Sequence, residues 1–273
     1  MIPSPAQRVP TVAWRGGFAE KDRAVAEETP VALSYNRLTH AVMMATPADL
    51  EDFAVGFSRS EGIIQGADEI EELEVIAAEG GVECRMWIAA GLLERLEQRR
   101  RSLAGPTGCG LCGLESLAEA VRAPPPVGDG VTVTAEEVQA AMDAMPDRQT
   151  LNLETRAVHA AAFWRRGDGL VALREDVGRH NALDKLSGAL ARSGVDGRMG
   201  MVVMTSRISV ELVQKAAVIG APILVAVSAP TRLALRVADA AGLTLIGIAR
   251  RDGFEVFTHP QRIFGAATSH KAE

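Results

Sequence analysis

The sequence predicts an α/β protein, a layered mixed sheet with flanking helices joined to a smaller N-terminal α+β part. Three observations carry this. Short apolar runs alternate with helical stretches as β-α-β-α-β between residues 201 and 249, the pattern of a layered sheet whose ligand site forms at the strand carboxyl ends. The first hundred residues instead carry a hairpin signal and amphipathic helices. Between the two, Ala123-Pro-Pro-Pro126 breaks the chain as a linker does. With 273 residues, 47% of them hydrophobic and 23% charged, disorder and fibrous repeats are excluded.

The first thirty residues mix Pro, Gly and charge without a sustained period and read as a flexible arm, 1–30. Order starts with a strand over 31–36. Thr46 followed by Pro47 then predicts an N-cap and a helix over 47–61, with Leu50, Phe53, Ala54 and Phe57 as its buried stripe. Strands over 69–77 and 82–88 flank Glu79-Gly-Gly81, and Cys84 on the second reads as a small buried hydrophobe. Helices over 90–103 and 114–121 bracket a glycine-rich cysteine loop and complete a region 31–122. The main α/β region is 123–273, although one compact body also suits this length. Its elements are a helix from the capping box Thr134-Ala-Glu-Glu137, a hairpin of 159–164 with 170–173, and a helix over 181–191. Strand 201–204, helix 210–219, strand 222–228, helix 230–241 and strand 243–249 follow.

A net charge of −6 provides no global field toward nucleic acid, so a polyanion must meet a local basic site. The longest apolar runs, 216–227 and 238–248, fall short of the roughly 20 residues of a membrane span, and the N-terminus lacks a secretory h-region. Three cysteines, two of them in C-x-x-C, favour thiol chemistry in a reducing cytoplasm over a disulfide scaffold.

The sharpest motif is Gly108-Cys-Gly-Leu-Cys-Gly113. A glycine-rich turn opening a helix lowers a thiol's pKa and leaves Cys109 and Cys112 reachable, and their spacing permits a reversible disulfide. Structural zinc needs a second ligand pair that the chain does not supply at familiar spacing, and no histidine stands in the H-x-E of a zinc deaminase. A thioredoxin-like dithiol stays open beside a reactive cysteine loop. Arg174-Glu-Asp-Val-Gly-Arg-His-Asn-Ala-Leu-Asp-Lys185 packs enough donors and acceptors for a polar ligand. Its ordinary reading is an Asp-Asn capping network with a salt bridge from Arg174, leaving Asp184 and Lys185 on the helix surface. Thr205, Ser206, Arg207 and Ser209 lie between a strand and a helix, as in an anion site, and Ser228-Ala-Pro-Thr231 repeats the arrangement one strand later; each alone also serves as a plain N-cap. Phe257, Thr258, His259, Pro260, Gln261 and Arg262 offer a ring for stacking and a guanidinium for phosphate, although an edge strand ended by Pro260 has the same spacing.

Together these segments resemble the FdhD family, the formate dehydrogenase accessory sulfurtransferases. The resemblance runs from Leu33-Ser-Tyr-Asn36 through Phe53-Ala-Val-Gly-Phe57, the cysteine loop, the Glu175-Asp-Val-Gly-Arg-His-Asn181 string and Thr205-Ser-Arg-Ile-Ser209 to Thr258-His-Pro-Gln-Arg262. It implies a cytidine-deaminase-like fold without the deaminase zinc. It also implies transfer of persulfide sulfur from a cysteine desulfurase to the molybdenum or tungsten of a bis-guanine-dinucleotide molybdopterin cofactor, which formate dehydrogenase requires. Carried onto this chain, Cys109 holds the persulfide, Cys112 assists, residues 257–262 meet the guanine dinucleotide, and the 205–209 loop adds contacts; a homodimer is implied too. A carrier that binds the cofactor without transferring sulfur is the alternative. Where the family usually has Thr-Gly-Gly-x-His, this chain has Thr155-Arg-Ala-Val-His159.

Overall fold

The computed structural model describes residues 1–103 and 123–265, so the cysteine loop, with Cys109, Cys112 and the expected helix 114–121, lies outside the described residues. The rest is mixed α/β with three sheets. Residues 1–30 are not a loose arm. Strands β1 (Ala6–Trp14) and β2 (Phe18–Ala26) pair antiparallel as a hairpin turned at Gly16, and Arg23 Nη2 ties it to the Thr155 carbonyl at 3.2 Å. Pro10 inside β1 and exposure on both faces hid the strand period.

Strands β3 (Thr29–Tyr35), β4 (Leu38–Ala45), β5 (Ile70–Ala78) and β6 (Gly81–Ile88) form a mixed sheet in the order β4-β3-β6-β5, with β3 and β6 parallel. Helix α1 (Leu50–Ser60) lays Leu50, Phe53, Ala54 and Phe57 on it, the stripe its spacing predicts. Cys84 is buried there, its thiol pushed up to about 12 chiefly by desolvation. Helix α2 is Ala90–Leu103. The expected Thr46 cap is corrected: α1 starts at Leu50 behind Asp49 in a left-handed conformation, and Thr46 bonds elsewhere.

The larger sheet has the order β12-β11-β10-β9-β7-β8, built from β7 (His159–Arg165), β8 (Gly169–Asp176), β9 (Met201–Met204), β10 (Ile223–Ala226), β11 (Thr244–Arg250) and β12 (Gly253–Val256). Strands β9, β10 and β11 are parallel, as the βαβαβ spacing predicts; β7 and β12 run antiparallel to their neighbours in this set. Helix α3 (Ala135–Asp143) opens on the expected capping box, with both reciprocal Thr134–Glu137 bonds present, and packs Val138 and Ala141 on one face of the sheet. The short helix α4 (Thr150–Thr155) precedes β7. Helices α5 (Arg179–Arg192), α6 (Val210–Ile219) and α7 (Arg232–Ala241) cover the other face.

Helix α5 faces the large sheet on one side and α1 on the other, which joins the two cores. The two helices cross where neither carries a side chain. A Cβ at Gly56 would lie 1.7 Å from the Asp184 carbonyl oxygen, and one at Gly188 would lie 1.8 Å from that of Asp52. Sandwiched between two layers, α5 buries its polar residues as well: Asp184 and Lys185, expected on its surface, are 1% and 0% exposed.

Candidate functional site

The loops at the carboxyl ends of the parallel strands converge with the turn from β8 into α5. β7 runs antiparallel to β9, so His159 at its start lies at the same edge, paired with Asp176 of β8. The main-chain amide and carbonyl of Ala160 bond Thr205, which extends the β7–β9 ladder into the 205–209 loop. That loop is locked to the next one by the Ile208–Pro230 bridge and by the Thr231 amide donating to the Ile208 carbonyl at 3.0 Å.

The Asp176–Asn181 string forms the buried joint between the halves of the molecule. Asp176 accepts from the amides of Thr46 at 2.9 Å and Gly178 at 2.8 Å and from Asn181 Nδ2 at 3.1 Å, and pairs with Lys185 Nζ at 2.7 Å. Lys185 also donates to the Thr46 carbonyl at 2.9 Å, while the Thr46 hydroxyl accepts from the Val177 amide. This web explains the Thr46 correction, because a full set of tertiary partners outcompetes one local cap bond. Asp184 joins a second buried pair, Lys215 at 2.7 Å, and accepts from the Ser60 hydroxyl at 2.7 Å. Glu175 accepts from the Leu151 and Asn152 amides at the start of α4. The Arg174 salt bridge runs to Asp52 of α1 at 2.7 Å rather than within its own loop. Most of this string therefore builds the scaffold, with Arg179 and His180 facing the strand-end loops.

His180 Nε2 lies 3.4 Å from the Ser209 hydroxyl and 3.9 Å from Glu211. Burial, then the charges of Arg179 and Lys215, holds its pKa below the usual imidazole value, so the 3.9 Å approach to Glu211 is that of a neutral ring at pH 7. His159 is lowered likewise, by burial and then Arg179. Glu211 is raised by burial but lowered more by the Ser209 bond and its cationic neighbours, with a net downward shift. Ser209 stands at the N-cap of α6 without its hydroxyl accepting a cap bond from the first-turn amides, Ser206 is buried and donates to the Arg207 carbonyl, and Arg207 is exposed. Of the hydroxyls expected to meet an anion, those of Thr205 and Ser206 are thus bonded to main chain, while Ser209 faces His180.

The 257–262 segment lies elsewhere in the same chain. After β12 it runs back toward the amino end of β11, where the Thr258 hydroxyl accepts from the Leu245 amide and donates to the Leu243 carbonyl. Arg262 donates four of its five N–H groups to Asp129, Gly242, Thr244 and Gly128 and so pins the chain after the linker. His259 is bonded to the Asp239 carbonyl and, through Nδ1, to Gln261, and Pro260 opens a single 3-10 turn. Only the Phe257 ring reaches toward the strand-end loops: a Cβ on Gly247 would meet its Cε2 at 3.0 Å, the Pro230 ring at 2.9 Å and the Ser228 carbonyl at 3.2 Å. Within one chain, then, 205–209 and most of 257–262 occupy opposite edges of the large sheet.

Arg156 sits in the left-handed region, φ 60°, at the C-cap of α4, where a glycine would be unstrained. The departure from Gly-Gly thus falls at a helix end, with the Arg156 side chain exposed.

No helix among the described residues is long and apolar enough to cross a membrane.

Comparison with known proteins places this architecture. The sequence profile of the FdhD/NarQ family matches residues 26–264. A protein of Agrobacterium fabrum named sulfur carrier protein FdhD is 52% identical over 259 residues, covering 94% of this chain and 96% of its own. One of the same name from Cupriavidus necator is 54% identical over 252 residues, covering 92% and 87%. A crystal structure from Desulfotalea psychrophila, described as a candidate formate dehydrogenase accessory protein, superposes with a TM-score of 0.74 at 28% identity, over 95% of this chain and 99% of that one. A profile match across nearly the whole chain, relatives above half identity and a shared fold lead to one conclusion: the chain belongs to the FdhD/NarQ family.

Proposed function

We propose that this chain is a sulfurtransferase that carries persulfide sulfur from a cysteine desulfurase to the molybdenum or tungsten of the bis-guanine-dinucleotide molybdopterin cofactor and so activates formate dehydrogenase. One observation carries the reading. Residues 26–264 match the family, relatives of about half identity are named for sulfur carriage, and within that span Cys109 and Cys112 stand among four glycines, which a carrier that only binds the cofactor has no need of. The Desulfotalea neighbour's description as a formate dehydrogenase accessory protein supports formate dehydrogenase as the recipient.

The chemistry closes on this chain's own thiols. The Cys109 thiolate attacks the outer sulfur of the desulfurase persulfide; the S–S bond breaks and the desulfurase thiolate leaves. Attack of Cys112 on Cys109 Sγ then forms a disulfide and releases the outer sulfur with its electron pair as sulfide, the form a metal binds. A dithiol reductant restores both cysteines. The metal cofactor is the substrate here, and residues 257–262 with the 205–209 loop are its proposed contacts. Since these lie at opposite sheet edges in one chain, a homodimer that brings one copy's loop to the other's segment fits a substrate with two nucleotide arms. The same reading takes the six-stranded sheet as a cytidine-deaminase-like layer without zinc, regions 31–122 and 123–273 as its two parts, and the cytoplasm as the compartment.

The test is intact-mass spectrometry after incubation with a cysteine desulfurase and cysteine. A gain of about one sulfur, roughly 32 Da, that is reversed by reductant and maps to Cys109 supports the reading. No gain on folded, reduced protein overturns it.

A further inference from the structure

The Arg179 Nε is buried and has no hydrogen-bond partner among the described residues. An unsatisfied buried donor costs about 1–3 kcal/mol, and a charged one more, so a fold that retains one has a use for it. The acids nearest in sequence do not neutralise this guanidinium: Asp176 is paired with Lys185 and Asp184 with Lys215, each at 2.7 Å. Glu211 lies near enough to feel the Arg179 charge, but its approach is to His180 at 3.9 Å, and it forms no ion pair with Arg179 among the described residues. Arg207, on the loop that His180 touches through Ser209, is likewise in no ion pair among the described residues.

Around Arg179 stand two imidazoles. His180 is the next residue. His159 faces Asp176 across the β7–β8 ladder, and the Ala161–Met204 pairing of β7 with β9 sets it level with Ser206. Both rings are kept neutral at pH 7 by burial and by Arg179, so each offers one N–H donor without adding charge. A half-buried arginine whose buried Nε has no partner among the described residues, a second arginine without an ion pair among them and two neutral N–H donors suit a multiply charged oxyanion better than a carboxylate, which one arginine fork would satisfy.

We propose that Arg179, Arg207, His159 and His180 form an oxyanion site that takes a phosphoryl group. The site rests on this geometry alone; that the phosphoryl group is the diphosphate of the substrate's nucleotide arm rests on the sulfurtransferase reading above.

The experiment is calorimetric titration of the full chain with inorganic pyrophosphate, run alongside histidine NMR. Pyrophosphate should shift the His159 and His180 ring signals, and Arg179→Gln should weaken binding about tenfold or more. Arg179→Lys, which keeps the charge and loses Nε, should weaken it by a similar order if the planar fork matters, and serves if the glutamine variant does not fold. Lys21→Gln, which removes the same charge from the exposed β1–β2 hairpin, should leave it unchanged. Equal binding by wild type and both Arg179 variants, or none by wild type, overturns the site. Sulfur loading of Cys109, measured on the same Arg179 variants, separates the two ideas: a failed oxyanion site leaves loading intact, and failed loading leaves pyrophosphate binding intact.

Discussion

Replacing Gly188 with alanine puts a methyl group where α5 meets the main chain of α1, 1.8 Å from the Asp52 carbonyl oxygen, 2.7 Å from its carbon and 2.9 Å from its Cα. An ordinary C···O contact is about 3.3 Å, so the helices must part by about 1.5 Å. A gap of even ~1 Å forfeits up to about half of the dispersion energy across it. It would also stretch the Ser60–Asp184 bond of 2.7 Å and the Arg192–Asp52 pair of 2.6 Å that span the same crossing. Overpacking against backbone belongs at the upper end of the usual 1–3 kcal/mol, about 3 kcal/mol, while alanine in a helix interior returns about 1 kcal/mol of propensity. The net expectation is a loss of about 2 kcal/mol, read as a fall in urea midpoint at unchanged slope. Gly91→Ala in α2 is the control: nothing among the described residues lies within 4 Å of its Cβ, so propensity acts alone and stability should hold or rise. A Gly188→Ala variant as stable as wild type would refute the close crossing of α1 and α5.

Three further outcomes follow from the same structure. Arg156→Gly should stabilise the chain by about 1 kcal/mol by relieving the left-handed strain at the end of α4; an unchanged or lower denaturation midpoint would contradict that conformation. Lys185→Met should cost about 3–5 kcal/mol, because it strands Asp176 and the Thr46 carbonyl in the interior, and a loss below ~1 kcal/mol would show the pair to be solvated. His159 and His180 are harder to protonate in the folded chain than in the unfolded one, with Arg179 and Lys215 opposing protonation and Asp176, Asp184 and Glu211 favouring it. The unfolded chain therefore binds more protons, and stability should fall as pH drops below about 6.5; His159→Gln with His180→Gln should flatten that slope, and an unaltered slope would remove the histidines from it.

The sequence marks elements whose stability is local and misses those that depend on partners. Strand 201–204 and helix 210–219 appear with the expected bounds because a continuous apolar run and a helical period each name their own element. Thr134 caps as its spacing predicts, since its partner is three residues away. Thr46 does not, because its partners lie 130 and more residues along the chain. Asp184 and Lys185 are charged residues on a helix buried on both sides, a placement that no one-faced helical pattern can signal. For the candidate site, the strand-end loops were legible from the βαβ spacing and Arg179 as one of the donors crowded into the Arg174–Lys185 string, whereas the lack of a partner for its Nε among the described residues depends on the closed fold. The course of 257–262 toward the far edge follows from the antiparallel return of β12, which sequence spacing alone does not fix.

Sulfur transfer by Cys109 is measured by activation of formate dehydrogenase lacking the sulfido ligand with wild type and Cys109→Ala, cofactor binding being determined on the same preparations. The variant should bind the cofactor as wild type does and activate nothing. Full activation by Cys109→Ala would contradict that transfer and leave the chain a carrier of cofactor rather than of sulfur.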